Sequence, residues 1–127
     1  MGEFAVLDTL TLIAAADLSA SQYTLVRLSA ARACNVASLA TDSALVGVLQ
    51  NKPKSGENAT VGYLGKTKVV AGAAITVGAI LSTDSSGHAI TVVSGAVAFG
   101  RALEAAGAAD QIITAIMYAP TRWAGAP

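Results

Sequence analysis

Ala79-Ile80-Leu81-Ser82-Thr83-Asp84-Ser85-Ser86-Gly87-His88-Ala89-Ile90-Thr91-Val92-Val93 holds two apolar, β-branched runs separated by a polar turn. Asp and Ser side chains bond local backbone amides and Gly87 accepts a positive φ, so residues 83–87 read as a tight turn. Residues 88–93 then return as a strand along residues 79–82. The same grammar recurs on both sides of this hairpin, and it decides the fold class.

Upstream, residues 9–14 and 23–28 (YTLVRL) read as strands separated by Asp17-Leu18-Ser19, and residues 34–39 continue the sheet. Residues 44–50 (ALVGVLQ) form a strand with Gly47 inside it, which marks a bulge or a close approach of another backbone. Residues 51–58 (NKPKSGEN) have the composition of an exposed loop. Residues 61–64 and 68–70 flank Gly65-Lys66-Thr67, which reads as a tight hairpin, and residues 75–77 add a short strand. Downstream, residues 97–102 and 111–118 are strands. Residues 101–109 (RALEAAGAA) contain good helix formers, but Gly107 interrupts them and no apolar stripe develops. They read as a strand end plus a loop.

Short strands between closely spaced turns predict an all-β, single-domain β-barrel or β-tulip-like sandwich with extended terminal segments. The expected organisation is an N-terminal arm over residues 1–8, a barrel over residues 9–118 and a tail over residues 119–127. A faint repeat supports the barrel: residues 44–49 and 97–103 are each a strand with an internal glycine, followed by a glycine-containing loop and another strand.

At 127 residues the chain suits one domain that buries roughly two-thirds of its unfolded surface. Charged residues are 13% of the chain, against about 25% in typical globular proteins. Mean hydropathy is +0.58. Alanine, present 28 times, has little area to bury, so Val, Ile and Leu must supply the core. Two readings of the low charge stay open: an alanine-rich composition as such, or a surface partly buried against partners. Net charge is zero and the Lys and Arg residues are scattered, which leaves no electrostatic footprint for nucleic acid. The N-terminus, with Glu3 and Asp8 and no basic stretch, does not read as a signal peptide. Residues 69–81 are the longest apolar stretch, interrupted by Gly72 and Gly78 and too short to span a membrane, so neither a membrane nor nucleic acid is expected as partner.

Catalysis needs groups that donate, accept or attack at a fixed place. The chain has one His (His88), one Cys (Cys34) and eight carboxylates. That supply excludes an internal disulfide and a His/Cys zinc site. Asp8, Asp17, Asp42 and Asp84 sit in turn-like contexts, and no phosphate-binding glycine loop or nucleophile elbow occurs. His88 leaves a turn, and Cys34 reads as a small buried apolar residue. We therefore expect no enzyme, no cofactor and no metal. Partner binding is a better use of what remains. Trp123, in a proline-flanked tail, reads either as a plug on one end of the barrel or as an anchor into a partner. Phe4, Val6 and Leu7 precede the first strand in a pattern suited to a strand laid on another protein's sheet edge. Completion of the barrel, or of the contact between subunits, by Phe4 is the competing reading.

A resemblance joins these features. It rests on Gly47-Val48-Leu49-Gln50-Asn51-Lys52-Pro53, Ser55-Gly56-Glu57, Lys68-Val69-Val70-Ala71-Gly72, Ile75-Thr76-Val77-Gly78, Asp84-Ser85-Ser86-Gly87 and Gly100-Arg101-Ala102-Leu103-Glu104. Leu7-Asp8-Thr9-Leu10-Thr11-Leu12 with Asp17-Leu18-Ser19 and Tyr23 extend it. Over residues 5–118 the chain resembles tailed-phage capsid decoration proteins, also called cement or head-stabilising proteins. The resemblance implies a small β-domain without cofactor or catalysis, usually a homotrimer and sometimes a dimer. It further implies a virion protein, assembled in the host cytoplasm, that binds the major capsid protein outside an icosahedral shell where capsomers meet. Residues 119–127 fall outside it. A non-catalytic ligand- or glycan-binding β module is the alternative, but the aromatics such sites cluster are here spread through the chain, with only Tyr118 and Trp123 close. A small-barrel hydrolase lacks its acid/base pair.

Overall fold

The computed structural model of the chain describes residues 7–39, 41 and 44–122. The strands are β1 (Leu7–Ala14), β2 (Leu25–Ala30), β3 (Ala33–Val36), β4 (Leu45–Leu49), β5 (Asn58–Val70), β6 (Ile80–Thr83), β7 (Ala89–Thr91), β8 (Val97–Ala102) and β9 (Ile112–Arg122). No helix occurs among the described residues. The all-β expectation holds. β1, β3, β2, β4 and β5 are neighbours in that order and β1 also pairs with β5, which closes a five-stranded barrel. Closure leaves these strands without an open edge. The sheet then continues from β5 through β9, β8 and β6 to β7, and a parallel bridge between Ala71 and Ala89 brings β7 back to the end of β5.

The hairpin expected at residues 65–67 is not there. These residues lie in the middle of β5, a strand of 13 residues. Its first half pairs with β1 and its second half with β9, so the two apolar runs are one strand shared by two sheets. Gly65, at φ 116°, adopts a conformation L side chains rarely reach and lies where β5 passes from one partner to the other. The strand expected at residues 75–77 reduces to one bridge between Ile75 and Ala106. The termini also differ. Leu7 and Asp8, placed in the arm by sequence, belong to β1 and pair with Gly65 and Leu64. Residues 119–122, placed in the tail, belong to β9, where Thr121 and Arg122 pair with Ala98 and Val97 of β8. Pro120 has no amide to donate, and a strand proline needs an irregular ladder. The register shift between Ala98 and Gly100 supplies one.

The faint sequence repeat is the visible part of a repeat that covers the whole fold. The second half of β5 with β6, β7, β8 and β9 reproduces, pair by pair, the ladder of β1, β2, β3, β4 and the first half of β5. Leu12 faces Ala59 as Val69 faces Ile113. Val26 lies between Val36 and Gly47 as Leu81 lies between Thr91 and Gly100. Val48 faces Gly62 as Arg101 faces Ile116. Loop hydrogen bonds recur too. The Ala14 amide donates to the Glu57 carbonyl (2.9 Å) and the Ala71 amide to that of Gln111 (2.8 Å), while Leu18 donates to Pro53 (2.9 Å) and Ile75 to Ala106 (2.9 Å). The non-glycine residues with positive φ, Tyr23, Arg32 and Asp110, correspond to Gly78, Gly87 and Gly56, all likewise positive. The fold is thus two like five-stranded units sharing β5.

Each unit has its own interior. The first is filled by Leu12, Ala14, Leu18, Val26, Cys34, Leu49, Ala59 and Val61. Their counterparts Val69, Ala71, Ile75, Leu81, Ala89, Ala102, Ile113 and Ala115 are buried together in the second. That second cluster extends outward to include Leu25, Ala37, Leu45 and Val48 of the first unit with Val97, Phe99 and Met117 of the second. These residues join the units. Backbone bonds cross the same junction, from the Val70 amide to the Tyr23 carbonyl (2.9 Å) and from the Leu25 amide to the Gly87 carbonyl (2.7 Å).

Candidate interaction surface

Among the described residues, the carboxylates of Asp84, Asp17 and Glu104 are committed to structure. The Asp84 carboxylate accepts the amides of Ser86 (2.8 Å) and His88 (2.9 Å), which builds the expected turn between β6 and β7. Asp17 accepts the hydroxyl (2.7 Å) and amide (3.0 Å) of Ser19, and these bonds hold its carboxyl below the usual carboxylate range. Glu104 is lowered in the same way, chiefly by hydrogen bonding from Thr114, with help from the charges of Lys68 and Lys66. Both effects are present above the ordinary carboxylate pKa and are lost as the pH falls through the lowered values. No cluster of three metal-ligating side chains occurs among the described residues.

Cys34 is fully buried in the first barrel, and desolvation raises its thiol pKa. A buried neutral thiol is a poor nucleophile. A thiol-reactive disulfide reagent should therefore leave the folded protein unmodified and titrate one thiol per chain in denaturant. Rapid labelling without denaturant would contradict this placement.

Among the described residues, two surface depressions are of note. One, of about 240 Å3, follows the junction of the units and is lined by Tyr23, Gln50, Lys66, Thr67, Lys68 and Thr114. Gln50 Nε2 donates across it to Thr67 Oγ1 (2.8 Å), and Glu104 lies close enough to Lys66 and Lys68 to offset their charge. The other is apolar, about 390 Å3, and is lined by Leu10, Leu45, Val46, Tyr63, Leu64 and Pro120. Tyr63 and Leu64 are 37% and 44% exposed, which leaves a continuous apolar surface facing water. Of the residues that sequence assigned to partner binding, Leu7 is described. It pairs with Gly65, next to the groove residue Leu64, and its side chain lies against Gly62. Phe4, Val6 and Trp123 lie outside the described residues. The groove itself was not foreseen, because its residues come from β1, β4, β5 and β9.

The sequence model of the phage cement protein family matches residues 4–117. The chain belongs to the phage cement protein family. Its fold has a solved counterpart in the N base of the head fiber gp8.5 of bacteriophage phi29, with a TM-score of 0.68 at 24% identity. The match covers 88% of this chain and 94% of that one. No curated protein sequence matches. Membership makes this cement protein a structural component of a phage virion that binds a capsid, a role that an exposed apolar groove suits.

Proposed function

We propose that this cement protein binds the outside of the assembled head as a homotrimer, seated between capsomers on the major capsid protein, and so stabilises the shell. The family match over residues 4–117 carries this reading. A protein that binds the assembled lattice but not its dissociated subunits stabilises the lattice by mass action. Several modest contacts per oligomer then combine through effective concentration. Residues Phe4 and Val6 supply apolar side chains just before Leu7, and a strand added to an exposed capsid edge gains affinity from backbone bonds with little demand on sequence.

Cosedimentation with capsids lacking this protein tests the reading, with unassembled capsid protein as the control. The full chain should pellet with capsids and leave the unassembled subunits alone. Because Leu7 is part of β1, the informative truncation removes residues 2–6. It should keep a melting temperature close to that of the full chain and lose capsid binding by at least tenfold. Undiminished binding by this truncation would remove the arm from the reading and make Trp123 the anchor to test. Failure of the full chain to bind capsids would sink the reading as a whole.

A further inference from the structure

The two units are joined head to tail, and this leaves one copy of each joining face only partly covered. Within the chain, one face of the first unit (Leu25, Ala37, Leu45 and Val48) is buried with a different face of the second (Val97, Phe99 and Met117). The repeat register locates the counterparts of both. Phe99 and Met117 correspond to Val46 and Tyr63, which line the open apolar groove. Leu25, Ala37, Leu45 and Val48 correspond to Ile80, Val92, Ala98 and Arg101 on the second unit. Val92 and Ala98 are buried in a small outlying apolar cluster, whereas Ile80 is half-buried and Arg101 is exposed. Phe99 and Met117 are 0% and 2% exposed, whereas Tyr63 is 37% exposed. The positions are equivalent in the fold, and they differ in whether a neighbouring unit covers them.

We propose that the groove of Leu10, Leu45, Val46, Tyr63, Leu64 and Pro120 docks the second unit of another copy of this chain, through the face that presents Ile80, Arg101 and Ile116. The contact between chains would then follow the contact already present within one. A face that binds a different face makes a heterologous interface, which closes into a ring when the rotation permits. The second contact is not a replica of the first. Arg101 stands where Val48 stands, exposed on β8 beside the half-exposed Ile116, and Tyr63 replaces Met117 across from it. A guanidinium meeting a phenol at a rim suits a contact that must also be soluble before assembly.

This inference rests on the self-association within the proposed function, not on capsid binding, so it is tested on free protein by sedimentation. The wild-type chain should associate at micromolar concentration. A groove variant, Tyr63→Asp with Leu64→Asp, should be monomeric, and so should a face variant, Arg101→Glu with Ile116→Asp. All four positions are exposed, so circular dichroism should show both variants folded. Mixed, they should form a one-to-one dimer, because one retains an intact groove and the other an intact face. A monomeric wild type, a groove variant that associates normally, or a mixture that stays monomeric would each overturn the proposal. A second measurement does not depend on charged variants. Chains with Tyr63→Cys and chains with Ile116→Cys should oxidise to the mixed disulfide in preference to either homodimer, since Cys34 is buried. Equal yields of all three dimers would count against a head-to-tail contact. Cosedimentation of the groove variant with capsids then reports separately on the capsid reading.

Discussion

Phe99→Ala should lower the stability of the free chain by about 3–5 kcal/mol, as removal of a fully buried aromatic ring does. Phe99 is 0% exposed and lies in the cluster that joins the two units, together with Val97, Met117 and the outward face of β4. The loss has two parts. Apolar area no longer leaves water on folding, and a cavity remains, because the backbone ladders on both sides limit collapse. Val46→Ala, the equivalent position in the first unit, should cost less than about 1.5 kcal/mol because Val46 is only partly buried at the groove. Urea denaturation followed by circular dichroism separates the two, with the slope unchanged if unfolding stays cooperative. Equal losses at both positions would mean that the buried junction contributes nothing beyond an exposed one.

Gly47→Ala and Gly100→Ala should each cost about 3 kcal/mol or more, at the top of the range for overpacking. A Cβ built at Gly47 would lie 2.1 Å from the Gly62 carbonyl oxygen, and one at Gly100 would lie 2.2 Å from that of Ile116. In both cases the obstacle is backbone held in a ladder, with no flexible side-chain end to move aside. In a chain of this size such a loss lowers the melting temperature by roughly 10 °C. Gly78→Ala is the control. It has φ +85° but nothing within 4 Å of its added methyl, so only backbone strain of about 1 kcal/mol applies. Melting curves that place Gly78→Ala with the other two would indicate that conformation, not steric approach, selects glycine at Gly47 and Gly100.

The residues that sequence read correctly share a property: their chemistry acts locally. Asp84 and Gly87 build their turn from atoms a few residues away, so the hairpin between β6 and β7 follows from the sequence alone. Gly47 reads as a bulge or a close approach because an interior glycine has few other uses in a strand; the Gly62 backbone meets it there, and the β2–β4 register shifts beside it. The poverty of catalytic groups is composition, which folding cannot change. Gly65 shows the limit. Gly-Lys-Thr is good turn chemistry, yet residues 58–70 run on as one strand because β1 and β9 offer partners to successive halves of it. Strand pairing joins segments far apart in the chain, and the local pattern carries no term for it. The same holds for residues 119–122, which are strand only because β8 lies beside them.

The candidate surface divides along the same line. By itself the sequence determined an all-β chain with glycine where backbones meet, a core drawn mainly from Val, Ile and Leu, and few residues of the types that catalysis uses. It also held the repeat, though only between residues 44–63 and 97–116, where the internal glycines Gly47 and Gly100 make it visible. Only the tertiary structure decided that the repeat runs through every strand pair, and that Val46 and Phe99, equivalent in the ladder, meet opposite fates. The reason is geometric. Alternation along a strand tells which side chains share a side, but which outward side is covered depends on where the neighbouring unit packs, and one unit has a neighbour where the other has water.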